Sequence, residues 1–182
     1  MTEEAFIQAV ETYGDSIYRV AFHALKNRAD AEDVMQAVLL KLYERGPEFE
    51  SEEHQKRWLL RLAVNESRSL LRSAWRRLRV SLEENWDAPA PEDPAKRELY
   101  EAVMALEAKY RLTIYLYYYE GLSVKEAAEA LGARPSTVQT WLHRARQRLR
   151  TDLSEAENKE GYGYVRPQSV PGTVRGAHRF PG

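Results

Sequence analysis

The stretch Ser123–Arg150, SVKEAAEALGARPSTVQTWLHRARQRLR, decides how the whole chain is read. Ser123 and Glu126 have the spacing of a capping box, which opens a helix, and Gly132 has the chemistry to close it. After GARPS a second helix begins, with a further Ser-x-x-Gln pattern at Ser136 and Gln139. Two short helices about such a turn form a helix-turn-helix. In the second helix Val138, Leu142, Ala145 and Leu149 fall at i, i+4, i+7 and i+11, a single apolar stripe. Leu122, Ala127, Ala128 and Leu131 are its expected neighbours across the turn. The opposite face carries Ser136, Gln139, Thr140, His143 and Arg144 near the helix N-terminus, where recognition helices meet base edges. Gln and Arg present the paired donors and acceptors that match adenine and guanine in the major groove. Arg146, Arg148 and Arg150 lie further on, placed for phosphates. From Arg134 to Arg150 there are five arginines and no acid. Trp141 flanks the apolar stripe and is expected to pack against its own domain rather than touch a base.

The remaining charge is segregated in a way that the formal net charge of −1 hides. Lys56 to Arg79 holds eight basic residues against Glu66, whereas Glu83 to Glu98 holds six acids against Lys96 and Arg97. Two separated basic blocks point to a polyanion as partner. Within the first block Arg57, Arg61, Asn65, Arg68, Arg72, Arg76 and Arg79 step by three or four, which places them on one side of a long helix. Leu59, Leu62, Ala63, Leu70 and Ala74 fall on another. Like charges at i, i+4 destabilise a helix by a few tenths of a kcal/mol per pair. A row of them therefore calls for an outside counter-charge, which a nucleic-acid backbone supplies. Trp58 is expected in the core, and Trp75, set among arginines, is a candidate for stacking on an unpaired base.

Periodicity elsewhere is helical, and no stretch alternates as a strand. A first helix is expected from about Glu3 to Lys26. A second follows Asp30, read as its N-cap, and ends at Gly46 and Pro47. After the polar connection GPEFESEEHQ, a third runs from about Lys56 to Arg79. Another is expected from about Arg97 to Lys109, followed by RLTIYLYYYEG, stopped at Gly121. The segment between Val80 and Glu98 is acidic and holds three prolines, which cannot continue a helix. The expected fold is all-α, with two small helical domains at residues 1–80 and 97–155, an acidic Pro-rich linker at 81–96, and a disordered tail at 156–182. The second helix is acidic outside, with Glu32, Asp33, Gln36 and Lys41 facing away from Val34, Ala37, Val38 and Leu42. Such a face repels DNA; it is either solvated or a protein-docking surface.

The chain has no cysteine, which excludes disulfides, thiol redox sensing and cysteine-ligated zinc. His23, His54, His143 and His178 lack ligand spacing, and no nucleophile elbow or phosphate loop occurs. Neither a metal or cofactor nor an enzymatic activity is expected. No apolar run approaches the ~20 residues that span a bilayer, and MTEEAFIQAVETYGD is unlike a signal peptide. A soluble cytoplasmic protein without membrane insertion is expected.

Three segments carry a family resemblance. RADAEDVMQAVLLKLYE resembles the polymerase-docking helix of small bacterial sigma factors of the extracytoplasmic-function (ECF) group. WLLRLAVNESRSLLRSAWRR resembles the helix of that group that melts promoters and recognises the −10 element. EGLSVKEAAEALGARPSTVQTWLHRARQRLR resembles its helix-turn-helix for the −35 element. Order and spacing agree over about residues 5 to 153. The resemblance implies binding to core RNA polymerase through Glu32, Asp33, Gln36 and Leu40. It implies −10 contacts by Lys56, Arg57, Arg61, Asn65, Arg68, Arg72 and Arg76, and −35 contacts by Ser136, Thr137, Gln139, Thr140, His143, Arg144 and Arg146. The GPEFESEEHQ connection falls where the family captures a flipped −10 base, and the acidic linker where it threads toward the polymerase active site and RNA exit path. An anti-sigma factor is a further implied partner. The sequence departs from the family pattern at Ala37 and Leu39, at Leu106–Glu107 and at Trp141, so promoter preference is not carried over. Two other classes stay open on the residues alone: a stand-alone helix-turn-helix regulator of duplex DNA whose N-terminal unit dimerises, and a DNA-acting enzyme anchored by its C-terminal module.

Overall fold

The first element, α1 (Glu3–Leu25), starts because the Thr2 hydroxyl accepts the Ala5 amide at 3.2 Å and ends because Lys26 turns left-handed at φ 54°. The computed structural model to which it belongs describes residues 2–77 and 91–159, with side chains described through residue 73 in the first stretch and residue 154 in the second. α2 (Arg28–Arg45) follows after two residues. Its N-cap is Asn27, whose Oδ1 accepts the Asp30 amide at 3.0 Å, and not the expected Asp30. Asn and Asp cap about equally well, and the left-handed Lys26 delivers Asn27 first. α3 (Glu52–Arg77) begins a turn before the expected Lys56. Ser51 sets that start: its Oγ accepts the His54 amide at 3.1 Å and its carbonyl the Gln55 amide at 3.0 Å. These three helices bury Ile17, Val20 and Ala21 of α1, Val34, Val38 and Leu42 of α2, and Leu59, Leu60, Ala63 and Val64 of α3. Leu60 and Val64 replace the expected Leu62 and Leu70, which are only partly buried, so the inner face of α3 is turned by about one residue from the sequence reading.

The second group comprises α4 (Pro94–Ala105), α5 (Ala108–Ile114), a π-helical turn (Tyr115–Tyr119), α6 (Val124–Leu131) and α7 (Pro135–Lys159). The helix expected to run from Arg97 to Lys109 is in fact two. Asp93 caps α4 three residues earlier, and the chain is extended at Leu106 and Glu107, where Leu106 dives into the core at 4% exposure. The capping box of α6 is present in both directions and Gly132 takes the left-handed C-cap at φ 57°. The Ser136 box is not formed. Pro135 holds the first position of α7, suited by its fixed φ and missing amide hydrogen, and Arg134 supplies the carbonyl that receives Val138 N–H at 3.1 Å. All described residues in regular structure are helical. Trp75 and Arg76 lie in α3 but their side chains, like Arg79, the linker from residue 81 to 90 and the tail from residue 160, lie outside what is described.

The groups meet at two places. At the first, α5 leans on α1 through Arg111, which is 3% exposed. Its guanidinium donates to the carbonyls of Met104 (3.2 Å) and Leu106 (2.6 Å) within the second group and, through Nε, to the His23 carbonyl in the last turn of α1. The His23 ring lies 4.4 Å from that of Tyr115, and its Nδ1 is buried without a hydrogen-bond partner among the described residues. At the second, α3 lies along α6.

Burial first, and then the nearby Arg111 and Arg19 cations, hold the His23 pKa down at about 3. The folded chain therefore keeps His23 neutral at pH values where the unfolded chain, with an ordinary value near 6.5, has taken up a proton. Its contribution is intact above pH 6.5 and is lost as pH falls from 6.5 toward 3, by up to about 1.4 kcal/mol per pH unit. Substituting His23→Phe, which keeps the ring on Tyr115, removes that part of the slope. Urea unfolding at pH 7 and pH 5 should show a smaller pH difference for the variant than for the wild type.

Candidate nucleic-acid interface

Recognition by the helix-turn-helix requires that α7 bury one face and leave the other clear. Val138, Leu142 and Ala145 are at most 3% exposed, with Leu149 partly buried behind them. Leu122, Ala127, Ala128 and Leu131 are buried in turn, as the spacing predicts. Ser136, Gln139, Thr140, His143 and Arg144 are exposed on the other face, while Thr137 and Arg146 are partly covered. Arg146 Nε donates to the Tyr118 hydroxyl at 2.9 Å, and Arg148 pairs with Glu107 at 3.0 Å. These two arginines are steadied from the side by their own domain. Trp141 is partly buried against the core, which agrees with the packing role.

The stripe on α3 has a more divided setting. At about 100° per residue, Arg57 and Arg68 lie within about 20° of each other, with Arg61, Arg72 and Asn65 following at about 40–80° and Lys56 set back on the other side. Arg61, Asn65 and Arg72 are exposed. Lys56, Arg57 and Arg68 are partly covered because they face the second group. Lys56 Nζ lies 2.9 Å from the Glu120 carboxylate and donates to the Glu120 carbonyl at 3.0 Å. Arg57 pairs with Glu126 at 3.1 Å, and Arg68 donates to the Leu131 carbonyl at 2.8 Å. Burial, and then the neighbouring Arg72, lower the Arg68 pKa. Glu126 is held below the usual carboxylate range, first by the Ser123 hydroxyl and amide and then by Arg57. Sequence reasoning assigned Glu126 to capping alone and gave Glu120 no role. The π turn is the reason for the second: it places Glu120 so that its carboxylate takes the Tyr115 hydroxyl at 2.9 Å, the Ser16 hydroxyl at 3.2 Å and Lys56.

The acidic face of α2 is open, with Glu32, Asp33, Gln36 and Leu40 all exposed and Leu40 at 55%. Lys41, expected to be outward, pairs with Glu66 of α3 at 2.6 Å. Beside this face lies a cleft of about 840 Å³ between α1, α2, α4 and the π turn, whose lining includes Gln36, Glu32, Tyr18, Leu99, Tyr100 and Tyr119. Phe49, in the connection before α3, sets its ring edge-on to Trp58 at 5.6 Å, and Trp58 is partly buried as expected.

Two family models match: sigma-70 region 2 over residues 9–77 and sigma-70 region 4 over residues 96–149. The RNA polymerase sigma-E factor of Streptomyces coelicolor is 31% identical over 157 residues, 81% of this chain and 85% of that protein. The chain belongs to the sigma-70 family. Within that family its relatives place this sigma factor in the ECF group. One is the ECF RNA polymerase sigma factor SigE of Mycolicibacterium smegmatis, 28% identical over 158 residues. That match takes in 81% of this chain, which spans only 61% of the relative's length. Among solved structures, the sigma factor RpoE in complex with the anti-sigma factor NepR from Bartonella quintana superposes with a TM-score of 0.72 at 26% identity, covering 83% of this chain and 98% of that one. A sigma factor is not an enzyme: it binds core RNA polymerase and directs promoter-specific initiation of transcription. The region 2 match assigns the N-terminal unit to the sigma-70 family as well, which neither competing class predicts. No helix among the described residues is long and apolar enough to cross a membrane.

If Trp141 is a packing residue, Trp141→Phe keeps the base preference of the helix-turn-helix, while Trp141→Ala costs about 2 kcal/mol of stability, less than for a fully buried ring. Thermal unfolding and binding to a panel of duplexes separate the two effects. A changed base preference in the Phe variant would make Trp141 a reader of DNA.

Proposed function

We propose that this sigma factor docks on core polymerase through Glu32, Asp33, Gln36 and Leu40, engages the −10 strand through the α3 stripe, and reads the −35 duplex with the outer face of α7. The observation that carries the reading is the coexistence, in one chain matched by both region models, of three faces of the required chemistry. They are an open acidic face on α2, a row of cations on α3 and a clear polar face on α7. In the α3 assignment Lys56, Arg57, Arg61, Asn65, Arg68, Arg72 and Arg76 meet the backbone and displaced bases. In the α7 assignment Ser136, Thr137, Gln139, Thr140, His143 and Arg144 face base edges, and Arg146 a phosphate. Melting is driven by binding energy, through trapping extruded bases against the first domain. Residues 1–80 and 97–155 act as the two promoter-binding domains, joined by the acidic linker, and the protein works in the bacterial cytoplasm. An anti-sigma factor restrains it, a reading supported by the complex in which the similar RpoE was solved. A regulator seated in the cleft beside Gln36 and Glu32 would cover part of the docking face as well.

Run-off transcription with purified core polymerase on fragmented genomic DNA tests the function, and should give discrete start sites that are absent without the protein. Failure to redirect core polymerase to any specific start would overturn it. Asp33→Ala or Gln36→Ala should weaken core binding at least severalfold while leaving −35 duplex binding unchanged, measured by anisotropy; equal loss of both would mean misfolding. Arg144→Ala should cost about 1–3 kcal/mol on the preferred −35 duplex and little on mismatched ones. A uniform loss across sequences would make Arg144 a phosphate contact.

A further inference from the structure

We infer that Tyr118, which precedes the helix-turn-helix, joins Arg146 in holding one phosphate of the −35 duplex, so that the DNA contact of the second domain begins on the π turn. The inference rests on the assignment of the outer face of α7 to that duplex. Arg146 lies two turns beyond Gln139, within about 20° of it around the helix and about 10 Å further along the axis. That is the edge of the recognition face, past the N-terminal residues that meet bases. The Arg146 Nε donates to the Tyr118 hydroxyl at 2.9 Å, and the guanidinium carbon stands 5.8 Å from the centre of that ring. Tyr117 meets the same ring edge to face, with centres 5.0 Å apart. The π turn is closed by the Glu120 amide on the Tyr115 carbonyl at 3.1 Å. It keeps Tyr115 and Leu116 buried and leaves Tyr118 54% exposed.

What this pair has left over is all donor. The Nε–H is one of five N–H groups on a guanidinium. Among the described residues the other four, on Nη1 and Nη2, meet no acceptor, and Arg146 pairs with no carboxylate. The Tyr118 oxygen has taken the Nε–H, and its own proton goes to no described residue. A ligand for both groups must bring acceptors and negative charge, and a phosphate brings two oxygens with the charge, one for the guanidinium and one for the hydroxyl. Arg148 is the contrast. It lies about 180° from Gln139 around α7, sits over the Tyr110 ring at 4.8 Å and has its charge balanced by Glu107 at 3.0 Å. A phosphate contact positions the protein without reading sequence, so the Tyr118 hydroxyl adds affinity and no base preference.

The test uses the full chain and the duplex that it selects from a random-sequence pool, with a neutral methylphosphonate replacing one phosphate at a time. Tyr118→Phe keeps the ring beside the guanidinium and removes only the hydroxyl. It should weaken binding of the unmodified duplex about three- to tenfold, the size of one net hydrogen bond, and equally for mismatched duplexes. Arg146→Ala should weaken it more and lower the salt slope of binding by about one. Both losses should vanish on the duplex modified at one and the same phosphate. In the Arg146→Ala background Tyr118→Phe should still weaken binding, because the hydroxyl reaches the phosphate itself. Circular dichroism should confirm that the variants remain folded. Unchanged affinity in Tyr118→Phe, losses that map to different phosphates, a changed base preference, or no effect in the Arg146→Ala background would each overturn the shared site. Arg144→Ala distinguishes the underlying assignment. If the chain selects no duplex, or if Arg144→Ala leaves binding of the selected one unmoved, α7 is not the −35 reader and the phosphate site falls with it. If Arg144→Ala weakens binding and Tyr118→Phe does not, only the phosphate site falls.

Discussion

The relation between the two halves of this sigma factor depends on where one buried guanidinium finds its acceptors. Arg111 is taken out of water almost completely, which is tolerated only when the charge is hydrogen-bonded on several sides. One carbonyl comes from the last turn of α4 (Met104), one from the extended break that follows it (Leu106), and the third from the last turn of α1, an end that favours a cation. Satisfying Arg111 thus presses α5 against α1, and three consequences follow. His23 is enclosed beside a cation and kept neutral. Tyr115 lies on its ring. The π turn that begins at Tyr115 then brings Glu120 to Ser16 and Lys56.

Much of this was legible in the sequence, for reasons that can be located. The helix-turn-helix was readable because its punctuation is local: Ser123 with Glu126, Gly132, and a stripe of four apolar residues at helical spacing. The faces of α2 were readable because the charges on its outer side and the aliphatics on its inner side do not overlap. Boundaries failed where more than one nearby residue could begin a helix. Asn27 caps α2 in place of Asp30, Ser51 starts α3 before Lys56, and Pro135 takes the position that Ser136 was expected to prepare. The inner face of α3 was misjudged by about one residue because Leu59, Leu60 and Leu62 give two overlapping stripes, and only tertiary packing decides between them. Arg111, Glu120 and the second role of Glu126 had no sequence signal at all. Their partners lie 88, 64 and 69 positions away, and a lone Arg or Glu in a helix reads as solvated until its neighbours are known.

The two contacts between the halves differ in kind. The contact of α1 with α5 and the π turn is built on the buried Arg111 guanidinium and on the tilted pair of His23 and Tyr115 rings. The contact along α3 includes a row of polar pairs, from Lys56 to Glu120, from Arg57 to Glu126 and from Arg68 to the Leu131 carbonyl, of which Arg57–Glu126 is partly exposed. The mutual repulsion of the arginine row, unfavourable on an isolated helix, is relieved in the folded chain at Arg57 by Glu126 and at Arg68 by the C-terminal carbonyl of α6.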